Sequence, residues 1–208
     1  MNFLKKHKVD ITIIVCVAVF VIALVFVLND ERHGKTEDKV SGKYYAEINI
    51  ENYGTIKLTL DADTAPITVA NFIKLVEDGF YDGLTFHRII DGFMIQGGDP
   101  EGNGKGGSNE KITGEFSANG IKNDLSHKRG VISMARNSIS NNSASSQFFI
   151  MQKDATSLDG NYAAFGWVTE GMEIVDAICK DTPVEDNNGT VLAQNQPKIT
   201  SIKMVSGE

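Results

Sequence analysis

After position 43 the sequence consists of short runs rich in β-branched and aromatic side chains. Loops containing glycine or asparagine separate the runs, which is typical of β-strands. Eight runs have this character: YYAEINI, TIKLTL, LTFHRII, FMIQGG, GVISMA, SQFFIM, AAFGWV and KITSIKMV. Many short strands favour a closed antiparallel β-barrel, because closure leaves no exposed strand edge. We therefore predict a mainly β fold in which side chains fill the barrel and any site lies on its outer wall or in the loops.

Two segments have helical patterns instead. In TAPITVANFIKLVEDG, the apolar residues Val69, Phe72 and Val76 recur at helical spacing. Pro66 suits the first turn of this helix, and Gly79 suits its end. The segment MEIVDAICK predicts a second, shorter helix before a polar loop.

The N-terminal region differs from the rest of the chain. MNFLKKHKVD is basic, and residues 11–28 carry no charge. As a helix this apolar run would span about 27 Å, close to the ~30 Å hydrocarbon core of a bilayer. We predict a transmembrane anchor at 11–28 that follows a cytoplasmic basic tail at 1–10, because lysines before a span favour the inside. The alternative is a cleaved signal peptide and a secreted domain, although no A-x-A-like site follows the run.

The remaining chain divides into a polar linker at 29–42 and one domain at 43–208. A net charge of −7 argues against a nucleic-acid partner. The two cysteines, Cys16 and Cys179, lie far apart, and no residues have the spacing of a metal site. GNGKGG lacks the P-loop spacing, there is no G-x-S-x-G motif, and the isolated histidines fit structural roles.

The stretch FHRIIDGFMIQGGDPEGNGKGG, at residues 86–107, resembles the signature of the cyclophilin-type peptidyl-prolyl cis-trans isomerases, most closely that of bacterial members. The likeness continues in order through GEF, RGVISMA, SQFFI, LDG and FGWV, and covers residues 43 to 205. It implies an eight-stranded antiparallel barrel with two capping helices, which agrees with the pattern of strands. It also implies an enzyme without a cofactor, whose substrates are proline-containing polypeptides.

The resemblance further implies a set of site residues. Arg88 matches the catalytic guanidinium, and Gln96 is expected to hold either Arg88 or a peptide carbonyl, as is Gln147. The proline ring is expected in a socket, the term used below for Phe93, Met94, Phe149 and Leu158, with Tyr162 at its edge. His87 and the Ala135 backbone are expected to line the groove. Considered one at a time, Phe93, Met94 and Phe149 fit a barrel core better than a binding site, and only their joint occurrence at the family spacing favours the socket.

These observations lead to one hypothesis about the whole chain. We expect a monomeric, single-pass membrane protein whose isomerase domain lies outside the cytoplasm and accelerates the folding of exported proteins at X–Pro bonds. The alternative is a non-catalytic module that holds proline-containing segments as a chaperone or scaffold.

Overall fold

The computed structural model describes residues 40–207 of the 208-residue chain. Within that range there are two α-helices, α1 (Pro66–Glu77) and α2 (Met172–Asp181). The strands are β1 (Lys43–Ile50), β2 (Gly54–Asp61), β3 (Thr85–Ile90), β4 (Met94–Asp99), β5 (Val131–Met134), β6 (Phe148–Met151), β7 (Ala164–Glu170) and β8 (Ile199–Val205). The predicted anchor at 11–28 lies outside the described residues. None of the helices within 40–207 is long and apolar enough to cross a bilayer.

The eight strands form one antiparallel sheet in the order β3-β4-β6-β5-β7-β2-β1-β8. Each of the eight runs predicted from the sequence contributes one strand, and both predicted helices are present. The first hairpin pairs Lys43 with Asp61 and Ile50 with Gly54. Its turn contains Asn52 at a φ of 65°, a left-handed conformation that asparagine tolerates better than most residues.

The predicted closure of the barrel is wrong. The edge strands β3 and β8 share no ladder and meet only at a bridge between Thr85 and Lys198. Pro197 precedes β8 and has no N–H group, so the ladder cannot extend through it. Further along β3, the Ile89 N–H donates instead to the Gly189 carbonyl in the loop between α2 and β8, at 2.8 Å. The sheet is therefore an open half-barrel with that loop lying along the free edge of β3.

The main core fills the concave side of this sheet. Alternation along β1 buries Ala46, Ile48 and Ile50, while the residues between them are partly exposed. Aromatic side chains from a helix, a turn and three strands meet in this core, with neighbouring ring centroids 5.3 to 6.1 Å apart: Phe72, Tyr81, Phe86, Phe148 and Phe165. Burial of each such ring stabilises the fold by about 1.5–3 kcal/mol.

Helix α1 has the boundaries that its sequence predicts. Pro66 occupies the first turn, and the helix ends at Glu77 before Gly79, whose φ of +67° no other residue type adopts as readily. The apolar residues Val69 and Phe72 are fully buried in the main core. Packing of this face, rather than intrinsic propensity, supplies most of the stability of so short a helix.

Candidate active site

The site begins with the alternation of side chains along β6. Phe148 and Ile150 point into the main core, whereas Phe149 and Met151 belong to a second apolar cluster on the opposite face. Met94 lies directly across from Met151 on β4 and joins this second cluster. Partly buried side chains pack around it, including Phe93 and Leu158 of the socket and Tyr162 at its edge. The socket is therefore a feature of the outer wall and not part of the barrel core.

A groove of about 740 Å³ lies over this cluster. Nine of the ten predicted site residues line it: His87, Arg88, Phe93, Met94, Gln96, Ala135, Phe149, Leu158 and Tyr162. The tenth, Gln147, lines an adjoining pocket of about 340 Å³ that shares Gln96 and Ala135 with the groove. The structure thus brings all ten residues together around the groove, although in the sequence they are spread over 76 residues, from His87 to Tyr162.

A chain of hydrogen bonds crosses the groove. Arg88 and Gln96 are opposite each other on β3 and β4, and Arg88 Nη1 donates to Gln96 Oε1 at 3.1 Å. Gln96 Nε2 donates to Gln147 Oε1 at 2.9 Å, and Gln147 Nε2 donates to the Gly106 carbonyl at 2.8 Å. On the other side, Arg88 Nε donates to the Asn188 carbonyl at 2.8 Å. Both ends of the chain are backbone carbonyls, so the position of the guanidinium is fixed by the fold.

The guanidinium of Arg88 keeps hydrogen-bonding capacity for a ligand. Partial burial lowers its pKa, while Tyr162 and Asp186 raise it. An arginine pKa lies so far above neutrality that the group remains charged. Only its Nε and Nη1 atoms donate to partners within residues 40–207, so the other N–H groups of the planar fork are available.

His87 lines the groove as a neutral ring. It is 4% exposed, and neither ring nitrogen has a hydrogen-bond partner among residues 40–207. Burial lowers the pKa of His87; Asp99 opposes this shift, and the nearby Arg88 adds to it. Arg88 is therefore the cationic group at this end of the groove, and His87 contributes shape.

One wall of the groove comes from residues 188–196, a region that the sequence predicts only as a loop. The Asp186 carboxylate accepts the N–H groups of Asn188 and Thr190, both at 3.0 Å, and this turn presents the Asn188 carbonyl to Arg88. The asparagines and glycine here do predict a turn. They carry no periodic signal that identifies the strand against which the turn packs.

The glycine-rich segment GNGKGG has its amides directed at a protein carboxylate. The N–H groups of Asn103 and Gly104 donate to Asp99 Oδ2 at 3.1 and 2.6 Å, and the Glu101 N–H donates to Oδ1 at 2.9 Å. Burial alone would raise the pKa of Asp99, but these donors outweigh it and hold that pKa below its usual value. The loop is therefore built around Asp99 and is not a phosphate cradle.

Arg136 and Ala135 shape the junction between the groove and the adjoining pocket. The Arg136 guanidinium lies 5.2 Å from the ring centre of Phe116 and 5.0 Å from that of Tyr162. Its Nε donates to the Asn161 carbonyl at 2.8 Å. The Ala135 N–H donates to the Gln147 carbonyl at 2.9 Å. Arg136 thus supports the Tyr162 ring at the edge of the socket.

Three further residues have the arrangement of a hydrolase triad. His127 Nδ1 lies 2.8 Å from Asp159 Oδ1, and His127 Nε2 lies 3.0 Å from Ser133 Oγ. Ser133 is completely buried, so no substrate carbonyl can reach its hydroxyl. The arrangement is therefore not a nucleophilic site.

Comparison with known proteins identifies the same region. The family model "Cyclophilin type peptidyl-prolyl cis-trans isomerase/CLD" matches residues 45–204. A peptidyl-prolyl cis-trans isomerase of Synechococcus elongatus is 41% identical over 155 residues, covering 74% of this chain and 91% of that protein. A "peptidyl-prolyl cis-trans isomerase-like 2" protein of Rhizopus delemar is 41% identical over 167 residues, but this chain spans only 30% of its length.

Comparison with solved structures leads to the same family. A cyclophilin-type isomerase of Cryptosporidium parvum, crystallised in the presence of the dipeptide Ala-Pro, matches with a TM-score of 0.69 and 32% identity. The match covers 78% of this chain and 99% of that structure.

Proposed function

Because the chain belongs to the cyclophilin-type peptidyl-prolyl cis-trans isomerases, its reaction is rotation about the X–Pro peptide bond, and we propose that Arg88 stabilises the twisted amide. Rotation must break the amide resonance, which opposes it with a barrier of about 18–20 kcal/mol. No bond is made or cut, so the chain's task is to bind the twisted amide more tightly than either planar isomer.

The geometry around Arg88 is the observation that carries this proposal. As the amide twists, its nitrogen becomes pyramidal and gains a lone pair that can accept a hydrogen bond. Arg88 is held by Gln96 on one side and by the Asn188 carbonyl on the other, and further N–H groups remain available. A donor fixed beforehand loses little freedom when the transition state forms, so its bond to the lone pair lowers the barrier.

The socket lies beside the Arg88 guanidinium and provides an apolar surface for the proline ring. Phe149 and Met94 are buried in its floor, with Phe93 and Leu158 partly exposed around them. We propose that the proline ring sits here while the preceding carbonyl swings through the groove. The Ala-Pro dipeptide used with the Cryptosporidium parvum relative supports proline as the ligand of this surface. We also propose that the monomer is the active unit, because all ten residues proposed for the site belong to one chain.

The energies are consistent with these roles. An acceleration of about 10⁵-fold requires about 7 kcal/mol of transition-state stabilisation. One charge-assisted hydrogen bond contributes roughly 1.5–3 kcal/mol of this. Orientation of the peptide in the socket and exclusion of water account for the remainder.

Isomerisation of a proline peptide by the purified full chain and its Arg88→Ala variant tests the proposal. We expect kcat and kcat/KM to fall together by about thirtyfold or more, or about 2 kcal/mol, because the lost bond forms only in the transition state. Arg88→Lys should also be impaired, since an ammonium cannot reproduce the planar fork. Arg129→Ala is the matched control, because Arg129 pairs with Asp176 outside the groove.

Two results would contradict the proposal in different ways. A folded Arg88→Ala variant with full activity would show that the guanidinium does not stabilise the twisted amide. A wild-type chain that binds proline peptides without accelerating isomerisation would instead favour the non-catalytic binding module.

We further propose that the domain is anchored to the membrane and acts on exported proteins outside the cytoplasm, as in a bacterial cell. Support comes from the charge-free residues 11–28 and the lysines that precede them. Relatives from Synechococcus elongatus and Helicobacter pylori, each 41% identical, are consistent with a bacterial origin.

Protease accessibility in sealed right-side-out vesicles tests this topology. Protease should cleave the linker at 29–42 and release the domain, while an epitope before residue 11 stays protected until detergent is added. A soluble product that begins near residue 29 before any protease is added would show instead that the apolar run is a cleaved signal peptide.

A further inference from the structure

His127 lies directly behind the socket. Its ring is 6.0 Å from that of Phe149 and nearly parallel to it, with an interplanar angle of 18°. It also meets Tyr162 edge-on at 6.5 Å, and Phe149 and Tyr162 meet each other edge-on at 5.8 Å. His127 is completely buried, so peptide in the groove does not touch it. Two socket rings therefore rest on a polar ring that catalysis by Arg88 does not use.

The hydrogen bonds of His127 fix this ring in one orientation. The Asp159 carboxylate can only accept, so His127 Nδ1 carries the proton and donates to it at 2.8 Å. His127 Nε2 then accepts from the Ser133 hydroxyl at 3.0 Å. Burial lowers the pKa of His127, although Asp159 opposes this shift, so the ring is neutral at physiological pH. Ser133 is paired with Phe149 across β5 and β6 and is itself rigidly held.

Asp159 also fixes the segment that carries the other socket residues. Its Oδ1 accepts the His127 backbone N–H at 2.7 Å, and its Oδ2 accepts the Ser126 hydroxyl at 2.6 Å. Leu158 immediately precedes Asp159, and Tyr162 follows three residues later. This segment has no strand pairing of its own, because it consists of a 3-10 turn and the loop after it. The carboxylate therefore ties this segment to Ser126 and His127, which lie just before β5.

We propose that His127, held by Asp159 and Ser133, is a positioning residue that keeps Phe149, Leu158 and Tyr162 in a proline-binding arrangement. The inference rests on the proposed function of the socket. The proline ring occupies the socket in the planar and twisted states alike, so loosening it weakens both complexes equally. Such a loss of uniform binding appears in KM and leaves kcat largely unchanged. This effect differs from that expected for Arg88, which lowers kcat.

Kinetics of the full chain, three variants of this arrangement and one control variant test this inference. We expect Asp159→Ala and His127→Gln to raise KM about fivefold or more with kcat within about twofold of wild type. Asp159→Asn keeps an oxygen acceptor and should raise KM less. Asp154→Ala is the matched control, because Asp154 accepts the Arg129 backbone N–H at 2.8 Å. This bond joins residues just before the 3-10 turn to residues just after His127, away from the socket.

The outcomes separate this inference from the proposed function. A wild-type chain without isomerase activity would contradict the proposed function. An active wild-type chain together with a folded Asp159→Ala variant of unchanged KM would contradict only the role of His127. An equal rise of KM in Asp154→Ala would show general loosening and also overturn it. If Asp159→Ala does not fold, ¹⁵N NMR of the His127 imidazole in the wild-type chain still tests the proposed arrangement. It should find the neutral Nδ1–H form, and the Nε2–H form or a charged ring at neutral pH would refute the arrangement.

Discussion

Phe148 and Phe149 are adjacent residues of the same type with different functions. Phe148 is packed in the main core against Phe72 and Tyr81, and Phe149 forms the floor of the socket. The alternation of a strand separates them, but no feature of either side chain says which one points outward. A resemblance to a family with known positions was therefore needed to select Phe149 from the sequence.

The polar residues show what sequence reasoning can and cannot establish. Arg88 and Gln96 were predicted together, and the structure places them in direct contact. His127 was interpreted as an isolated structural histidine because its partners, Ser133 and Asp159, lie 6 and 32 residues away. Hydrogen bonds over such separations depend on the tertiary fold, so no local pattern reports them.

The hydrogen-bond chain of the groove predicts an effect for Gln147. In Gln147→Ala, Gln96 loses its acceptor and holds Arg88 less firmly, so kcat/KM should fall about fivefold, or about 1 kcal/mol. The isomerisation assay measures this loss. Asn49→Ala is the control, because Asn49 likewise accepts one side-chain bond and donates another, but on β1 and away from the groove. Equal losses in the two variants would refute a specific role for Gln147.

At the scale of secondary-structure elements, local sequence patterns predict the strands and helices. They do not predict which distant groups accept the hydrogen bonds of the free N–H groups at a strand edge or a helix end. The runs rich in β-branched and aromatic residues predicted every strand between residues 43 and 205. The edge of β3 is instead completed by the Gly189 carbonyl, from a loop of polar residues. A backbone carbonyl can satisfy an N–H group whatever side chain it carries, so the sequence gives no sign of this contact.

The N-terminus of α1 is completed by a distant residue as well. Ala65 at the N-cap has no side-chain oxygen, and the buried carboxylate of Glu115 accepts the N–H groups of Ile67 and Thr68 at 3.0 and 2.7 Å. Negative charge is favourable at this end of a helix, and hydrogen bonds to a charged group are strong ones. Glu115 thus performs the role that a local serine or aspartate performs in most helices.

We therefore expect Glu115→Ala to lower the free energy of unfolding by about 2–3 kcal/mol, because it leaves buried N–H groups without an acceptor. Denaturant unfolding of the full chain measures this loss. Glu110→Ala is the control, because Glu110 pairs with Lys74 on the exposed side of the same helix, where an ion pair contributes about 0–1 kcal/mol. A cost for Glu115→Ala no larger than that of the control would show that α1 needs no carboxylate at its start.

At the scale of the whole molecule, the buried ionisable groups connect stability to pH. Burial would raise the pKa of Asp61 and of Asp99, but hydrogen bonds, together with Lys43 in the case of Asp61, hold both below their usual value. Burial lowers the pKa of His87 and His127, so both rings are neutral in the folded state. All four groups bind protons more readily in the unfolded chain than in the folded one.

The free energy of unfolding is therefore expected to decrease as the pH falls, in two stages. Unfolded histidines take up protons near pH ~6.5 and unfolded aspartates near pH ~3.9. The histidine contribution is complete above the first value and is lost as the pH falls below it towards the depressed folded pKa. The aspartate contribution is complete above the second value and is lost below it. Stability falls with pH in both windows because the unfolded state binds more protons there.

Urea unfolding of the full chain at half-unit steps from pH 8 to pH 3 tests this expectation. Asp99→Asn should shrink the decrease below about pH 4, because its amide does not titrate and retains one oxygen acceptor for the loop that contains Glu101 and Gly104. The same substitution should enlarge the histidine stage, because the Asp99 charge no longer opposes the lowering of the His87 pKa by burial. Stability that stays level between pH 7 and pH 5 would contradict neutral burial of His87 and His127. A steeper loss in Asp99→Asn than in wild type below pH 4 would contradict the role assigned to Asp99, because the glycine-rich loop would then not depend on its ionised carboxylate.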